Sequence, residues 1–246
     1  MIRTEIGIDL NKAKLLLDSS DIISIPTETV YGLAANGKDP LAISKIYIAK
    51  KRPLSNPLIL HYKDTTSAFS DITMISKYAE LLAEKFWPGP LTMLLPKKNT
   101  ICDAVTSGKP LVAVRVPNHE LCNALLHKLD YPLAAPSANL YGRISPTSPA
   151  HVHEQLNSRI PYILDGGICE KGLESTIIGF EKDTAAIYRL GSVSIEDIEA
   201  CIGKKVRLKN KIDSNQEPLT SGLVKHHYAP NLSLIHISEP TRPREI

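Results

Sequence analysis

Residues Ile22–Tyr62 read IISIPTETVYGLAANGKDPLAISKIYIAKKRPLSNPLILHY, and the order of apolar runs and breakers within them decides the fold. Ile22–Ile25 predicts a short buried strand, stopped by Pro26. A polar Thr27-Glu28-Thr29 triplet follows, and then Tyr31-Gly32. Asp39 and Pro40 have the chemistry of an N-cap and a first helical residue. Ala42, Ile43, Ile46 and Ala49 keep a helical spacing, so that face packs inward. The helix runs into Lys50-Lys51-Arg52, and Pro53 prevents it continuing. Ser55-Asn56-Pro57 then turns the chain into a second apolar run, Leu58–Leu60. The unit is strand–helix–strand, and it carries three cations with hydroxyl and amide groups to one end of a sheet. An anion pocket is built that way.

Lys51, in the last helical turn, is accounted for by the macrodipole. Lys50 and Arg52 differ, because Pro53 and Asn56-Pro57 stiffen the loop they enter. A rigid loop with a bidentate guanidinium suits phosphate recognition. Gly32–Asp39, GLAANGKD, matches the phosphate-loop pattern GxxxxGK[ST] except at its last position, where Asp39 replaces the magnesium-ligating hydroxyl. Asp39 is already explained as an N-cap, and the strand lies too far upstream to feed such a loop. A nucleotide here is held by other means.

The 246 residues, 43% hydrophobic and 22% charged, suit one sizeable α/β domain, or one domain and an appendage. A net charge of +3 permits a polyanionic substrate or tRNA without demanding either. Cys102, Cys122, Cys169 and Cys201 form no CxxC pair, which fits core residues in a reducing cytoplasm. MIRTEIGIDL has no signal pattern, and no apolar run approaches the length of a membrane span. A cytoplasmic protein with no membrane partner is expected.

Asp9–Ser20 predicts a helix buried through Leu10, Leu15, Leu16 and Leu17. Thr73–Phe86 predicts another, with Met74, Ile75, Tyr78, Leu81, Leu82 and Phe86 on one side. Trp87-Pro88-Gly89-Pro90 is a rigid turn into the apolar run Leu91–Leu95. Leu111–Val116, LVAVRV, is a strand with Arg115 inside it. On an edge strand that side chain would snorkel into water. In a strand buried on both faces it needs an acidic partner or an anionic ligand, and the ligand is the reading favoured here.

Asn118 is expected to cap a helix facing inward through Leu121, Cys122, Leu125, Leu126 and Leu129. The strand Leu133–Ala135 breaks at Pro136 into Ser137-Ala138-Asn139, a hydroxyl and an amide placed at a strand end to meet a ligand. Ser148-Pro149 starts a helix whose His151 and His153, two residues apart, face different sides and make no metal pair. Ile163–Gly167 ends a strand in a tight turn, and Glu174-Ser175-Thr176 leads a strand through Ile178. Ala186–Gly191 gives one more, with Arg189 near its end. Ser194 and Asp197 form a capping box for a last helix closed by Gly203. Strands and helices interleave, so the class is α/β with a mixed, twisted open sheet. From about Lys204 the pattern gives way to a polar, basic linker, RLKNKIDSNQEP.

Set in order, PTETVYGL (Pro26–Leu33), KKRPLSNPL (Lys50–Leu58), FWPGPLT (Phe86–Thr92), VAVRVP (Val112–Pro117), APSAN (Ala135–Asn139), SPT (Ser145–Thr147), DGG (Asp165–Gly167) and LESTI (Leu173–Ile177) resemble the YrdC family over about residues 5 to 231. SGLVKHHYAP (Ser221–Pro230) resembles the linker of the family's long form, which leads to a Rossmann-like second domain; PGM is more frequent there than SGL. The resemblance implies a catalytic domain over 1–206 with flanking helices and a concave ligand-binding face, and a linker or lid over 207–231.

It also implies a reaction. L-threonine and bicarbonate form a carbamate that attacks the α-phosphate of ATP, giving threonylcarbamoyl-AMP and pyrophosphate for the threonylcarbamoyladenosine modification of tRNA. Thr29, His61, Arg115, Ala135 and Ser175 would then hold L-threonine, with Arg115 on its carboxylate. Arg52, Asn56, Leu111, Ser137, Ser145 and Arg189 would hold ATP, and Tyr228 would fold over it. Lys50, Arg52, Ser137 and Asn139 make up the polar set nearest the chemistry. Magnesium would arrive with ATP rather than in a protein cage. Contact with tRNA would be indirect, through a downstream threonylcarbamoyl transferase.

Two other readings share the fold: a YciO-like paralogue and a non-catalytic RNA-binding protein. Aromatics at 5%, and polar positions that converge on strand ends, disfavour the RNA binder. The HHYAP linker disfavours the paralogue. Residues 232–246 read differently from the rest. LSLIHISEPTR (Leu232–Arg242) is the in-frame translation of a transposase adapter used in sequencing libraries, so this tail is expected to be non-native.

Overall fold

The structure, a computed structural model, describes residues 3–181 and 184–209. The expected lid with Tyr228, and the tail 232–246, lie outside the described residues. Strands β1 (Glu5–Gly7), β2 (Ile23–Ile25), β3 (Gly32–Asn36) and β4 (Ile59–His61) come first, with helices α1 (Leu10–Asp18) and α2 (Pro40–Lys50) between them. Then come α3 (Thr65–Ser70), α4 (Lys77–Phe86), β5 (Leu91–Pro96), α5 (Asp103–Thr106) and β6 (Leu111–Arg115). They are followed by α6 (Glu120–His127), β7 (Leu133–Ala134), α7 (Pro149–Leu156) and β8 (Tyr162–Leu164). The described chain ends with β9 (Thr176–Glu181), β10 (Thr184–Arg189), α8 (Ile195–Ile202) and β11 (Arg207–Leu208).

The strands form one open mixed sheet in the order β1-β8-β2-β3-β7-β4-β6-β5-β9-β10-β11. Alternation along the strands sorts the core onto two faces. Leu33, Ala35, Leu60, Met93, Val112 and Val114 share the main cluster with α2, α4 and α8 residues such as Ile46, Leu82 and Ile198. On the other face, Ile23, Ile25, Ala34 and Leu164 pack against Ala13 and Leu17 of α1 and Leu125 of α6. Further along that face, Leu94, Ala113, Ile177, Ala186 and Tyr188 form a small cluster without a helical residue. Arg115 and His61 sit two positions from Ala113 and Ile59, so the pleat turns them toward this helix-free region.

Several expected boundaries shift for local reasons. The expected strand–helix–strand unit gains a strand: GLAAN, for which no element was expected, forms β3 antiparallel to β2, and its alanines fit where both faces are buried. The first five residues of the phosphate-loop pattern are thus strand, and Gly37-Lys38 turns the chain into the N-cap of α2. Asp39 caps α2 with Pro40 in its first turn, as expected. In α1, Asp9 accepts from Asn11 N and Lys12 N, which sets the phase so that Ala13 and Leu17 face inward and Leu15 is 66% exposed. Ser76, not Thr73, starts α4, and Met74 lies outside it, exposed. His119, not Asn118, occupies the N-cap position of α6, and its side chain makes no capping hydrogen bond. Ser194 and Gly203 bound α8 as expected. Beyond it, Arg207–Leu208, placed by the sequence in the linker, pair in parallel with β10.

Candidate functional site

The ends of β2, β4, β6, β7, β9 and β10 meet at one cavity, and arginines dominate its chemistry. Arg115 is 3% exposed at the end of β6, in register with His61 of β4. Its Nε donates to Gly89 O at 3.1 Å, its Nη1 to Thr29 Oγ1 at 3.0 Å, and its Nη2 lies 2.7 Å from Glu28 Oε1. The buried arginine therefore has an acidic partner in the protein itself, supplied by the triplet after β2. Gly89 reaches it because the Trp87–Pro90 turn is tight, with Gly89 N on Val116 O. A Cβ there would lie 2.4 Å from Phe86 O.

Arg189, at the end of β10, lies across the 174–176 segment. Its Nε donates to Ser175 O at 3.0 Å, its Nη2 to Ser175 Oγ at 2.9 Å and its Nη1 to Glu174 Oε2 at 2.6 Å. The other Glu174 oxygen accepts the Ser145 hydroxyl at 2.8 Å, and Ser175 Oγ also meets Thr92 Oγ1 at 2.8 Å. Gly191 permits this packing, since a Cβ would stand 2.3 Å from Glu174 O.

Arg52 follows the left-handed C-cap Lys51 (φ 53°) and folds back onto its own loop. Its Nε donates to Asn56 O at 3.0 Å and its Nη2 to Pro57 O at 2.8 Å. Burial lowers its pKa to about 10, which still leaves it charged at neutral pH. Lys50 is 1% exposed and does not line the cavity. Its Nζ donates to the carbonyls of Ser137 and Asn139 and to Asn139 Oδ1, tying the end of α2 to the Ser137–Asn139 loop. Burial and the neighbouring Arg52 push the Lys50 pKa well down, against the field of Glu174.

His61 is 4% exposed, and burial followed by the charge of Arg115 lowers its pKa to about 3. Its ring is neutral, and Nδ1 has no hydrogen-bond partner. Thr27 and Thr29 share a hydrogen bond of 2.9 Å, and Thr27 Oγ1 also donates to Val30 O, at 2.7 Å. Among the described residues of the site no serine or cysteine is joined to a histidine; Ser175 bonds to threonine and arginine.

Of the expected site residues, Thr29, Arg52, His61, Arg115, Ala135, Ser137, Ser175 and Arg189 line the cavity together. Lys50 and Asn139 lie beneath the loop that carries Ser137. Asn56 is buried behind Arg52, and neither polar atom of its side chain has a partner. Ser145 reaches the cavity through Glu174, and Leu111 packs at the start of β6. Thr27, Glu28 and Glu174 were not singled out in the sequence. No local signal in TET or LES marks either carboxylate as buried, since each Glu lies in a short polar stretch outside the strands.

Residues 15–191 match the protein family Sua5_yciO_yrdC, described as "Telomere recombination". The chain belongs to the Sua5/YciO/YrdC family. Among Sua5/YciO/YrdC relatives, the threonylcarbamoyl-AMP synthase of Bacillus subtilis is 43% identical over 225 residues, covering 91% of this chain and 65% of that protein. The enzyme of the same name from Pyrococcus abyssi is 40% identical over 228 residues, covering 89% of this chain and 65% of that protein. The chain thus spans less than two thirds of the length of either relative. The crystal structure of P. abyssi Sua5 complexed with L-threonine superposes with a TM-score of 0.87 at 37% identity, covering 94% of this chain and 69% of that one.

Proposed function

We propose that this chain makes L-threonylcarbamoyl-AMP from L-threonine, bicarbonate and ATP, releasing pyrophosphate. The observation that carries the reading is the convergence, in one cavity, of a buried arginine beside threonine hydroxyls and a neutral imidazole with two further arginines. The P. abyssi relative holds L-threonine, which supports an amino-acid site around Arg115.

Arg115 takes the threonine carboxylate through the guanidinium hydrogens that Gly89, Thr29 and Glu28 leave over. Neutral His61 lines the amino-acid end of the cavity beside Thr29, Ala135 and Ser175. Bicarbonate and the amine give a carbamate and water. A carbamate oxygen forms a bond to the α-phosphorus while the bond to the departing pyrophosphate breaks. Arg52, Arg189 and Ser137 face the phosphates and neutralise charge as it moves onto the leaving group. Asn56, Leu111, Ser145 and Asn139 support the nucleotide from behind this layer. The nucleophile is the substrate itself, so positioning and charge neutralisation supply the catalysis.

ATP enters with magnesium on its phosphates. The product feeds the threonylcarbamoyladenosine modification of tRNA in the cytoplasm, through a downstream transferase and without direct tRNA contact in this step. Pyrophosphate release that requires ATP, L-threonine and bicarbonate together tests the reading. Release independent of threonine would sink it, as would intact folding with no release at all. A YciO-like paralogue or an RNA binder would give that second result.

A further inference from the structure

The cations of the cavity are not compensated alike. Arg52 is held by main-chain carbonyls, whereas Arg189 is held partly by a carboxylate that itself lines the cavity. That carboxylate, Glu174, is 8% exposed at its side chain. It accepts from Ser145 Oγ on one oxygen and from Arg189 Nη1 on the other. A fixed negative charge beside the arginines lowers the positive potential felt by a phosphate. Its field reaches Lys50 and Arg52 as well, where it opposes the effect of burial.

Arg189 does not depend on Glu174 for its place. Nε and Nη2 are anchored on Ser175 O and Oγ, and the backbone of that segment is set by Thr176 N on Pro90 O. Ser192 N on Glu174 O and the close approach of Gly191 hold it from the other side. The Glu174 charge is therefore separable from the geometry around it.

We propose that Glu174 is a resident counter-anion, which competes with phosphoryl oxygens for Arg189 and so weakens the cavity's hold on a small inorganic anion. The inference rests on the nucleotide reading above and deepens it, because it assigns release of the pyrophosphate product to a named side chain. When a phosphoryl oxygen takes Arg189 Nη1, the carboxylate keeps the Ser145 hydroxyl. When the anion leaves, the Arg189–Glu174 pair re-forms. Only hydrogen bonds are exchanged.

Inorganic pyrophosphate, titrated calorimetrically into the full chain in metal-free buffer, is the probe. Glu174→Gln keeps the shape and an oxygen for Ser145 but removes the charge. Its pyrophosphate Kd is expected to fall about tenfold, a gain that shrinks as salt is added. Glu174→Asp keeps the charge and is expected not to bind more tightly. A variant that merely damages the site loses affinity, so the sign separates the two roles. If Glu174→Gln melts below the assay temperature, Glu174→Ala carries the same expected sign. Unchanged or weaker binding in the folded neutral variants overturns the proposal. A wild-type chain that binds neither pyrophosphate nor ATP overturns the nucleotide reading instead.

Discussion

Arg115 Nη2 lies 2.7 Å from Glu28 Oε1, with the two side chains 4% and 3% exposed. Neither Glu28 oxygen has an aligned hydrogen bond, so the ion pair is what accommodates this buried carboxylate. Breaking one side of such a pair leaves an uncompensated charge, which costs roughly 3–5 kcal/mol. Arg115→Ala is expected to lose about that much stability in urea denaturation. Glu28→Gln combined with Arg115→Ala removes both charges and should regain part of the loss. A double variant no more stable than Arg115→Ala would show that the pair does not set the cost.

Arg52 and Arg115 are expected to divide by ligand. Arg52→Ala should weaken ATP binding by roughly 2–5 kcal/mol and leave L-threonine binding little changed. Arg115→Lys keeps a charge opposite Glu28 but loses the planar fork, so it should weaken L-threonine binding and spare ATP. Calorimetric titration of both ligands against both variants reads the split, and an equal effect on the two ligands would remove it.

Lys50 holds the Ser137–Asn139 loop from below, so its loss is first a structural event. Lys50→Met fills the same volume but leaves the buried Asn139 carbonyl without its donor, at about 1–3 kcal/mol, and the half-buried Ser137 carbonyl as well. A lowered Tm and a loss of product are expected together. A variant that melts like wild type yet makes no product would place the ammonium in the chemistry instead.

His61 gives the fold a pH dependence of known sign. Its pKa is about 3 when folded, against 6.5 for the free side chain, so between those values the unfolded chain binds a proton that the folded chain does not. This contribution to stability is fully present above pH 6.5 and declines as pH falls toward 3, by up to about 1.4 kcal/mol per unit. His61→Gln, which does not titrate, should flatten that part of the urea-midpoint profile between pH 7 and 4. An unchanged slope would mean that other groups produce it.

The sequence was most legible where local chemistry decides structure. Asp39-Pro40, Ser148-Pro149 and Ser194 to Gly203 carry their caps in the residues themselves, and the apolar runs Leu91–Leu95 and Leu111–Val116 fall on the strands β5 and β6. β3 was missed because Gly32 and its alanines carry no β-branched signal; its pairing with β2 and β7 makes it a strand. Arg115 could be read as needing a counter-charge, but not which one. Glu28 and Arg115 are joined only by the folded sheet, and nothing in a polar TET triplet distinguishes a buried carboxylate from a solvated one. Glu174 was hidden likewise, since its burial depends on Gly191 in a neighbouring loop.

Each arginine of the cavity, and Lys50 beneath it, rests on at least one peptide carbonyl: Gly89 for Arg115, Asn56 and Pro57 for Arg52, Ser175 for Arg189, and Ser137 and Asn139 for Lys50. A carbonyl is present whatever side chain a residue bears. Mutation at those supporting positions can change packing or ligand contacts, yet it cannot delete the acceptor while the chain keeps its course. The charge constellation is thus inherited with the backbone trace, which leaves the surrounding side chains free to drift and to retune which anion the cavity prefers.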